Sequence, residues 1–562
     1  MKVLVVGGVA GGASTAARIR RLDEKAEVIM FERGPHVSFS NCSLPFHLSG
    51  IVPNSEKLIV MDPVQFKKKY NLEARVGQEV IAINKERKTI TVKQVLTGET
   101  YEENYDKLVL SPGAKPIIPD AQGIDAEHVF TVRNVVDIER LKNYIELTEV
   151  KNIAVIGGGF IGIEVAENLA AAGKKVTIVQ SAKQVMKPYD EDMAQIMHKQ
   201  LLDNGVALEL STTVKKVEAS KITLSNDKVI AADAVVVAIG VTPEINLAAE
   251  AGLAIGVTGG IKVDGNYVTS DDSIYAVGDA IEVYHQILHK PVRLALAGPA
   301  QKQARAAADH MYGITNHNRG VIGSSSIRIF DFNCATTGIN EKIAKEAGMQ
   351  VDSVYVIAPD KVGLMPSSNP LHLKLIFEVP TGKIVGAQAI GKGNADKRID
   401  VIATMISMGG TIEDLKDVEL SYSPMFGTAK DVVNIAALVA TNILYGRFKQ
   451  IHVSDVRKLH EENAFFLDVR EVKEFENGHL KGATNIPLSE LRTRMSEVPQ
   501  DIPVYVYCRS AQRSYNAVMA LKNSGFNQVK NVSGSFLGIC LYEYFQDVDQ
   551  QREPIVTKYN FK

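Results

Sequence analysis

Cysteine is scarce in this chain, with four residues in 562, and tryptophan is absent. Four widely spaced cysteines make a poor disulfide framework, so we expect a reducing, cytoplasmic setting. No apolar run reaches the roughly 18 residues of a transmembrane helix, so no membrane partner is predicted. The net charge of −2 gives no reason to expect nucleic acid as a partner. No metal site is predicted either.

The first residues form a short apolar run. Met1 to Val6 lead directly into Gly7, which leaves too short a stretch for the apolar region of a signal peptide. We therefore interpret this run as a first β-strand. With 562 residues the chain is long enough for three or four domains, each able to bury its own core.

A glycine-rich turn follows this strand. The segment Gly7-Gly8-Val9-Ala10-Gly11-Gly12 precedes an alanine-rich helix, and the next strand ends at Glu32. This order is typical of a dinucleotide site, with glycines for the turn, phosphate at the helix N-terminus and an acid for the ribose hydroxyls. Val9 replaces the middle glycine of the motif, and the alternative is a glycine turn that binds no ligand.

A second copy of the pattern is complete. The strand Ile153 to Ile156 leads into Gly157-Gly158-Gly159-Phe160-Ile161-Gly162, and the following strand ends before Gln180. An acid at that position would bind the adenosine ribose of NAD. Gln180 neither demands NAD nor repels the 2′-phosphate of NADP, and Lys183 lies near enough in sequence to help bind a phosphate. The choice between NADH and NADPH therefore stays open.

Further glycine turns link the two sites. Predicted strands end at Ser111-Pro112-Gly113, at Gly240 and at Gly278-Asp279, where the acid is placed to hold a ribityl hydroxyl. In this order the motifs resemble the two-dinucleotide flavoprotein reductases over residues 1 to about 445. The resemblance implies FAD in the first fold, NAD(P)H in the second and a homodimer acting on small molecules. The cofactor contacts that it implies are Gly7, Gly8, Ala10, Gly11, Gly12, Glu32, Arg33, Asn41, Val80, Ser111, Gly113, Arg133, Gly157, Gly159, Phe160, Ile161, Gly162, Gln180, Gly240, Gly278, Asp279 and Ala297.

Cys42 lies in the segment Asn41-Cys42-Ser43-Leu44-Pro45 and has no cysteine neighbour, since the next is Cys334. This resembles the single-cysteine branch of the family, which contains coenzyme A disulfide reductases, NADH peroxidases and oxidases, and persulfide reductases. In that branch a thiolate beside the flavin attacks a disulfide or persulfide. We expect a following helix N-terminus to lower the pKa of Cys42. The alternative is that Cys42 is a buried structural cysteine without a redox role.

Ser43 stands where the family usually has glycine. If that position requires a positive φ, serine would cost roughly 1 kcal/mol. The hydroxyl of Ser43 is also a candidate donor to the Cys42 sulfur.

Coenzyme A is the expected substrate or bound ligand. Arg18, Arg20 and Arg21 lie together on the first helix, near which the resembling reductases bind the phosphates of coenzyme A. A solvated basic helix face is the alternative. The residues that we assign to the coenzyme are Arg18, Arg21, Ser38, Phe39 and Asn41.

The third domain resembles the dimerisation domain of the family. In coenzyme A disulfide reductases this domain sends tyrosines to the partner's active site. The corresponding segments here read Leu364-Met365-Pro366 and Tyr422-Ser423-Pro424-Met425-Phe426, so only Tyr422 is retained as a predicted catalytic residue. Loss of phenolic donors disfavours a substrate with a poor thiolate leaving group, and a persulfide needs less help.

The residues after about 450 resemble a single rhodanese domain, with Gly446 to Gln450 as a predicted linker. The strand Val504 to Tyr507 delivers Cys508, and a loop to Arg513 enters a helix predicted over Ser514 to Asn523. Backbone N–H groups, Arg509 and Arg513 favour a thiolate and cradle a persulfide. A cysteine phosphatase is the alternative, but its loop has five residues between Cys and Arg, and this one has four. Cys334 and Cys540 have small or apolar neighbours and are predicted to be structural.

The resemblance predicts an α/β protein with two Rossmann-like domains, an α+β dimerisation domain and an α/β rhodanese domain. The predicted boundaries are residues 1–112 and 245–321 for FAD, 113–244 for NAD(P)H, 322–445 for dimerisation and 446–562 for rhodanese. The predicted reaction is NAD(P)H-dependent reduction of coenzyme A persulfide, polysulfide or related sulfane sulfur, with Cys42 and Cys508 as catalytic residues. Coenzyme A disulfide reductase, a thiosulfate sulfurtransferase with an accessory reductase, and a flavin-binding redox sensor are the alternatives.

Overall fold

A computed structural model describes residues 1–561, which form two compact units. The first contains Met1–Lys183 and Val206–Val321, and the second contains Gln184–Gly205 and the chain from Ile322 onwards. Both units mix helices with sheets, as the sequence predicts. The predicted α/β class is confirmed.

The first unit contains two parallel five-stranded sheets of the predicted dinucleotide type. Apolar runs form their central strands because these are covered on both faces. In spatial order the first sheet contains Ile274–Ala276, Lys107–Leu110, Lys2–Val6, Glu27–Glu32 and Glu73–Val76. The second contains Ala207–Glu209, Lys175–Val179, Asn152–Ile156, Ala234–Val237 and Val129–Thr131.

Smaller sheets and helices complete the first unit. Its three-stranded sheets are Gln78–Asn84, Thr89–Gln94 and Thr100–Asn104, and Val214–Glu218, Lys221–Leu224 and Val229–Ala231. Its two-stranded pairs are Ala114–Pro116 with Val241–Pro243, and Val283–His285 with Lys290–Val292. Its α-helices are Ala10–Leu22, Pro45–Leu48, Pro63–Tyr70, Val135–Ile145, Phe160–Ala171, Asn246–Glu250 and Ala297–Met311. Short 3₁₀ turns occupy Asn41–Ser43, Ser55–Leu58 and Gly278–Ala280.

The second unit begins with an antiparallel five-stranded sheet. Its strands, in spatial order, are Ser325–Ile329, Phe332–Gly338, Ile384–Gly391, Pro370–Glu378 and Val351–Pro359. The accompanying helices are Glu191–Asp203, Glu341–Glu346, Ala395–Ser407, Ile412–Lys416 and Val432–Leu444. Lys374 on this sheet is only 2% exposed and lies 2.9 Å from Asp192 and 2.8 Å from Glu341. These ion pairs anchor residues 184–205 within the second unit.

A parallel five-stranded sheet follows in the same unit. Its strands are Lys449–Ile451, Val529–Val532, Val504–Tyr507, Phe465–Asp468 and Thr484–Asn485. Its helices are Val453–Glu461, Val472–Glu476, Gln512–Asn523 and Ser535–Asp549, with a 3₁₀ turn at Met495–Glu497.

The predicted linker at Gly446 to Gln450 is wrong. Phe448 is only 3% exposed and packs among core residues, and Lys449 already begins a strand. The apolar ring is therefore used for packing, and only a short turn separates the two sheets. The predicted helix start at Ser514 is two residues late, because the helix begins at Gln512.

None of the helices in residues 1–561 combines the length and apolar character that a bilayer crossing requires.

Candidate functional site

The first glycine turn leaves no room for side chains. Gly7 has φ of +95°, and a Cβ atom there would lie 2.0 Å from the carbonyl oxygen of Ser111. A Cβ atom on Gly12 would lie 1.8 Å from the carbonyl oxygen of Gly7. The turn and the helix Ala10–Leu22 therefore approach each other as closely as a dinucleotide fold requires.

Glu32 lies beside this turn. Its carboxylate accepts hydrogen bonds from the N–H groups of Gly8, at 3.1 Å, and Gly34, at 2.9 Å. It also lines a cavity of about 520 Å³, together with Asp279, whose pKa is raised by burial. An acid at the end of the second strand and an acid at the opposite sheet edge suit the ribose and ribityl hydroxyls of FAD.

Many of the predicted FAD residues line the same cavity. They are Gly7, Glu32, Arg33, Asn41, Val80, Ser111, Gly113, Arg133 and Asp279, and Phe39 lines it as well. Other predicted residues shape the turn or lie at helix starts without lining it, namely Gly8, Ala10, Gly11, Gly12, Gly278 and Ala297.

Sequence reasoning missed Glu244 in this cavity. Its carboxylate lies 2.6 Å from the guanidinium of Arg33 and 2.6 Å from that of Arg133. Glu244 therefore fixes both arginines on the cavity wall. The position directly after Thr242-Pro243, beyond a strand-end glycine, was the available signal.

The second glycine turn is packed as tightly as the first at two glycines, but its third glycine, Gly159, has free space beside it. A Cβ atom on Gly157 would lie 2.3 Å from the carbonyl oxygen of Ala238, and one on Gly162 would lie 1.9 Å from that of Gly157. Nothing lies within 4 Å of a Cβ atom built on Gly159. That open backbone at the N-terminus of the helix Phe160–Ala171 suits a pyrophosphate.

Gln180 occupies the position of the ribose acid. Its Oε1 atom accepts a hydrogen bond of 3.1 Å from the N–H of Gly158, as Glu32 does from Gly8 in the first fold. The side chain is thus oriented toward the turn but carries no charge. Gln180 therefore does not discriminate between NADH and NADPH. Gly240 has φ of +119° after the neighbouring strand.

Cys42 lies within the 3₁₀ turn Asn41–Ser43 and is exposed. The protein atoms packed around its sulfur raise the pKa of the thiol, and the carboxylates of Glu164 and Asp279 add to that rise. We expected a helix N-terminus to lower the pKa of Cys42, and this expectation is wrong, because the surrounding protein groups raise that pKa. The following helix, Pro45–Leu48, has only four residues and contributes a small dipole.

The positive φ that sequence reasoning considered for Ser43 occurs at Ser38 instead. Ser43 lies within the 3₁₀ turn without a positive φ, and its hydroxyl pairs with that of Ser40 at 2.8 Å. The left-handed residue is Ser38, with φ of +48°. No strain at Ser43 needs to be considered.

Glu164 was also missed by sequence reasoning. It lies on the helix Phe160–Ala171, where burial and the nearby carboxylate of Glu167 raise its pKa to about 7. This carboxyl changes charge near neutral pH, close enough to influence Cys42. Its place seven residues after the start of the glycine turn is visible in the sequence, but its raised pKa comes from packing.

A second cavity, of about 300 Å³, adjoins the first helix. Arg18, Arg21 and Ser38 line it, and Phe39 and Asn41 line the larger cavity instead. Arg18 lies 2.5 Å from Asp309, whereas Arg21 is exposed. Sequence reasoning missed further lining residues, namely Met61, Phe66, Tyr70, Gln301 and Arg305. A basic and aromatic lining of this kind suits a nucleotide with phosphates.

Arg20 has a different role. It is 3% exposed and donates to backbone carbonyl oxygens of Tyr70, Asp23, Glu24, Ala26 and Asn71. Its guanidinium is thereby saturated inside the protein and is not available to a ligand.

The segments that replace the family tyrosines lie on two neighbouring loops of the second unit. The N–H of Val362 donates to the carbonyl oxygen of Gly427 at 3.2 Å. Leu364 is 87% exposed, Phe426 is 70% exposed and Tyr422 is 50% exposed. The two loops therefore display large apolar side chains and one phenol.

Cys508 follows the strand Val504–Tyr507 and is only 1% exposed. Its N–H donates to the hydroxyl oxygen of Ser535 at 3.1 Å, and its carbonyl oxygen accepts from the N–H of Phe536 at 3.0 Å. The start of the helix Ser535–Asp549 thus holds the cysteine backbone from the opposite side of its loop. Sequence reasoning did not identify Ser535.

The two predicted arginines of this loop are held differently. Arg513 makes a bidentate pair with Glu474, at 2.6 Å and 2.8 Å, and this pair raises the pKa of its guanidinium. Arg513 also lies close enough to Cys508 to interact with its charge. Arg509 donates to the carbonyl oxygen of Asn560 at 2.9 Å, and burial lowers its pKa.

Comparison with known families assigns three regions. Residues 1–304 match the pyridine nucleotide-disulphide oxidoreductase family, residues 324–431 match the dimerisation domain of these enzymes, and residues 452–541 match the rhodanese-like domain.

Individual proteins agree with these matches. A coenzyme A disulfide reductase of Staphylococcus epidermidis is 33% identical over 435 residues, which are 77% of this chain and 98% of the relative. The crystal structure of reduced Bacillus anthracis CoADR-RHD superposes with a TM-score of 0.94 at 45% identity, over 97% of this chain and 98% of the other. An NAD-dependent persulfide reductase from A. fulgidus gives a TM-score of 0.91 at 36% identity, over 95% and 99%.

The family resemblance predicted from the glycine motifs and the two cysteine segments is confirmed. The FAD and NAD(P)H of this family suit the two glycine turns, the ribose-binding positions and the cavity described above. The chain belongs to the pyridine nucleotide-disulphide oxidoreductases and carries a C-terminal rhodanese-like domain.

Proposed function

We propose that this flavoprotein reduces coenzyme A persulfide, or a related sulfane sulfur, with electrons from NAD(P)H. One observation carries the proposal: an exposed cysteine adjoins the FAD-type cavity, and the same chain holds a second cysteine in a rhodanese-like loop. A reductase and a sulfur carrier in one chain suit a substrate that is both oxidised and sulfur-rich. The NAD-dependent persulfide reductase of A. fulgidus has a similar fold over 95% of this chain.

FAD would be held by the first glycine turn, Glu32, Asp279 and the arginines that Glu244 orients. The nicotinamide nucleotide would be held by the second turn and Gln180. When bound, FAD supplies the two-electron transfer between the nicotinamide and the sulfur of Cys42. The protein groups bind and orient these ligands.

The thiolate of Cys42 attacks the coenzyme A sulfur of the persulfide. A new bond joins Cys42 to that sulfur, the sulfur–sulfur bond of the persulfide breaks, and hydrosulfide leaves with the bonding pair. Two electrons and one proton then return the mixed disulfide to the Cys42 thiolate and free coenzyme A. The sum is one persulfide and one NAD(P)H converted to coenzyme A, hydrosulfide and NAD(P)⁺.

The smaller cavity supports coenzyme A as the carrier of the sulfur. Arg18, Arg21 and Arg305 supply positive charge for its phosphates, and Tyr70 supplies an aromatic face for the adenine. Ser38 lies on this cavity, and Phe39 and Asn41 continue toward Cys42 on the larger one. This order suits a long ligand with a charged nucleotide end and a sulfur end.

Cys508 would supply sulfur to the reaction. Its thiolate attacks the outer sulfur of a donor such as thiosulfate. The sulfur–sulfur bond of thiosulfate breaks, sulfite leaves with the bonding pair, and a persulfide forms on Cys508. That sulfur then passes to the thiolate of coenzyme A, which regenerates Cys508. Arg513 favours both anionic forms of the sulfur, and Arg509 holds the loop to the C-terminal segment.

Reduction of coenzyme A disulfide is the second candidate, favoured by the name of the S. epidermidis relative. Leu364 and Phe426 cannot protonate a departing coenzyme A thiolate, and Tyr422 is the phenol that those loops retain. Hydrosulfide is a better leaving group, so these replacements suit the persulfide.

The match to a dimerisation domain supports a homodimer. We also propose the discontinuous FAD domain, 1–112 and 245–321, around the NAD(P)H domain, 113–244. The cytoplasmic location and the choice between NADH and NADPH stay predictions.

The test is anaerobic oxidation of NADH and NADPH with coenzyme A persulfide, with hydrosulfide as the product measured. We expect Cys42→Ser to lower hydrosulfide release at least about 1,000-fold, because the attacking sulfur is lost. Cys508→Ser should keep this rate and lose turnover from thiosulfate. Cys334→Ala, which removes a buried cysteine, is the matched control.

Parallel assays separate the candidates. Coenzyme A release without hydrosulfide, from the disulfide and not from the persulfide, would favour the disulfide reductase. Hydrosulfide release that survives in Cys42→Ser would overturn the proposed mechanism. Cysteine persulfide, which lacks the nucleotide, should show a higher KM than coenzyme A persulfide.

A further inference from the structure

The loop of Cys508 is bordered by two strained residues. Ala511 has φ of +75° and Ser535 has φ of +50°, although neither is glycine. Such conformations are unfavourable for residues with a Cβ atom and persist where the surroundings impose them. Ala511 precedes the helix Gln512–Asn523, and Ser535 begins the helix that caps the loop from the other side.

Ser535 contacts Cys508 directly. Its side chain is completely buried, its hydroxyl oxygen accepts from the Cys508 N–H, and the same oxygen lies 4.0 Å from the Cys508 sulfur. Ser514, one turn into the neighbouring helix, lies 3.3 Å from that hydroxyl. The position of the Ser535 hydroxyl therefore fixes where the Cys508 backbone and sulfur lie.

The turn that presents Ser535 is shaped by the antiparallel sheet. A Cβ atom on Gly534 would lie 2.7 Å from ring carbons of Tyr355, a residue of the strand Val351–Pro359. The Ser533 hydroxyl also donates to the carbonyl oxygen of Tyr355 at 3.2 Å and accepts from the N–H of Tyr355 at 3.4 Å. The Tyr355 ring thus occupies the space that any larger residue at position 534 would need.

Tyr355 is itself held rigidly. Its hydroxyl lies 2.6 Å from Nδ1 of His372, and the two rings stack with centroids 5.9 Å apart. Burial, and secondarily the charge of Arg509, lowers the pKa of His372 to about 3, so the ring is neutral. The support therefore runs from the sheet core to the cysteine loop through packed and hydrogen-bonded side chains.

We infer that Tyr355 is a positioning residue for Cys508, so the sulfur-transfer site of the rhodanese-like domain is completed by a side chain of the dimerisation domain. The inference rests on the sulfur-carrier role proposed for Cys508. The ring acts through Gly534 and Ser535, and it touches neither the donor nor the sulfur.

The test uses the full-length holoenzyme and measures sulfite release from thiosulfate, with kcat and KM separated. We expect Tyr355→Leu to lower kcat about 10-fold with KM changed less than 2-fold. Tyr355→Phe, which keeps the ring against Gly534, should keep at least half of kcat. Phe377→Leu removes a completely buried ring from the same sheet and is the matched control.

A double-mutant comparison addresses the contact itself. Gly534→Ala should lower kcat at least 10-fold in the native background and at least 3-fold less in the Tyr355→Leu background, where the ring is gone. Equal effects in both backgrounds, or equal losses in Tyr355→Leu and Phe377→Leu, would overturn the inference. If Tyr355→Leu does not fold, retention of full kcat by Gly534→Ala would overturn it.

The rate at which iodoacetamide modifies Cys508 separates this inference from the proposed function. If the native enzyme releases no sulfite, the carrier role fails. The alkylation rate would still report the position of Cys508, and it should change in Tyr355→Leu and not in Phe377→Leu.

Discussion

The two reactive cysteines lie in opposite surroundings. Cys42 is exposed, and packed protein atoms with two carboxylates disfavour its thiolate. Cys508 is 1% exposed, its backbone is bonded on both sides, and a guanidinium lies near its sulfur. The rhodanese-like loop therefore holds its sulfur in place with protein groups alone. The cavity beside Cys42 is a place for ligands, and stabilisation of the Cys42 thiolate depends on the charge or hydrogen bonds that a bound ligand supplies.

This difference follows from how the two segments are anchored. Cys508 continues a central strand of a parallel sheet, so its neighbours are set by the core. Cys42 lies in a 3₁₀ turn next to a cavity, so part of its surroundings is left for a ligand. In each experiment below the second cysteine of the same chain is the internal reference, because alkylation at both sites is measured together.

The largest effect is expected from Asp468→Ala. Asp468 and Arg470 are 0% and 1% exposed, and their side chains lie 2.6 Å apart. Asp468 ends the strand that pairs with the strand preceding Cys508, and Arg470 lies two residues beyond that end. Removing the carboxylate leaves a buried guanidinium without its partner, which costs about 3–5 kcal/mol. Alkylation of Cys508 should therefore begin at lower urea concentration, while Cys42 keeps its profile. Asp501→Ala, at an exposed aspartate, is the control, and an unchanged urea profile in Asp468→Ala would contradict the argument.

A smaller effect, of opposite sign, is expected from Glu474→Gln. This change removes the carboxylate that pairs with Arg513, so more of the guanidinium charge acts on Cys508. Iodoacetamide reacts with the anionic sulfur, so it should modify Cys508 about 3- to 10-fold faster at pH 7. Glu476→Gln on the same helix is the matched control. A slower reaction would show that Glu474 acts mainly by orienting Arg513.

The smallest effect is expected at Cys42 from Glu164→Gln. The negative carboxylate contributes to the raised pKa of Cys42, so its removal should lower that pKa and increase the thiolate fraction. Because the pKa of Glu164 is about 7, native and variant proteins should react alike at pH 6. Above pH 7 the variant should react about 2- to 5-fold faster. Glu86→Gln, at an exposed position, is the control. Equal rates for the native protein and Glu164→Gln at pH 8 would show that Glu164 does not influence the reactivity of Cys42.

Local motifs made much of the architecture predictable. Gly7 and Gly157 are required by backbone contacts of 2.0 Å and 2.3 Å that a Cβ atom would make, so their chemistry is visible in the sequence. The positions of Glu32 and Gln180 after the second strands follow from the same repeated unit. The Cys508-to-Arg513 spacing indicated the sulfur loop without any tertiary information.

Residues whose role depends on distant partners were not predictable. Glu244 bridges Arg33 and Arg133 from a different segment, and Tyr355 meets Gly534 across 179 positions of the chain. No local pattern marks such pairs. The expected pKa of Cys42 was wrong for the same reason, because the protein atoms that bury its sulfur raise it most, and the carboxylates of Glu164 and Asp279 that add to this rise come from remote elements.

The family, the two nucleotide turns and the two cysteines can be recognised from short stretches of sequence, since each depends on residues close together in the chain. Folding sets which arginines face a cavity and which donate to carbonyl oxygens, as Arg21 and Arg20 show. It also sets what surrounds each thiol. Backbone geometry is a local property of the chain, whereas electrostatic environment is set by groups that only folding brings together.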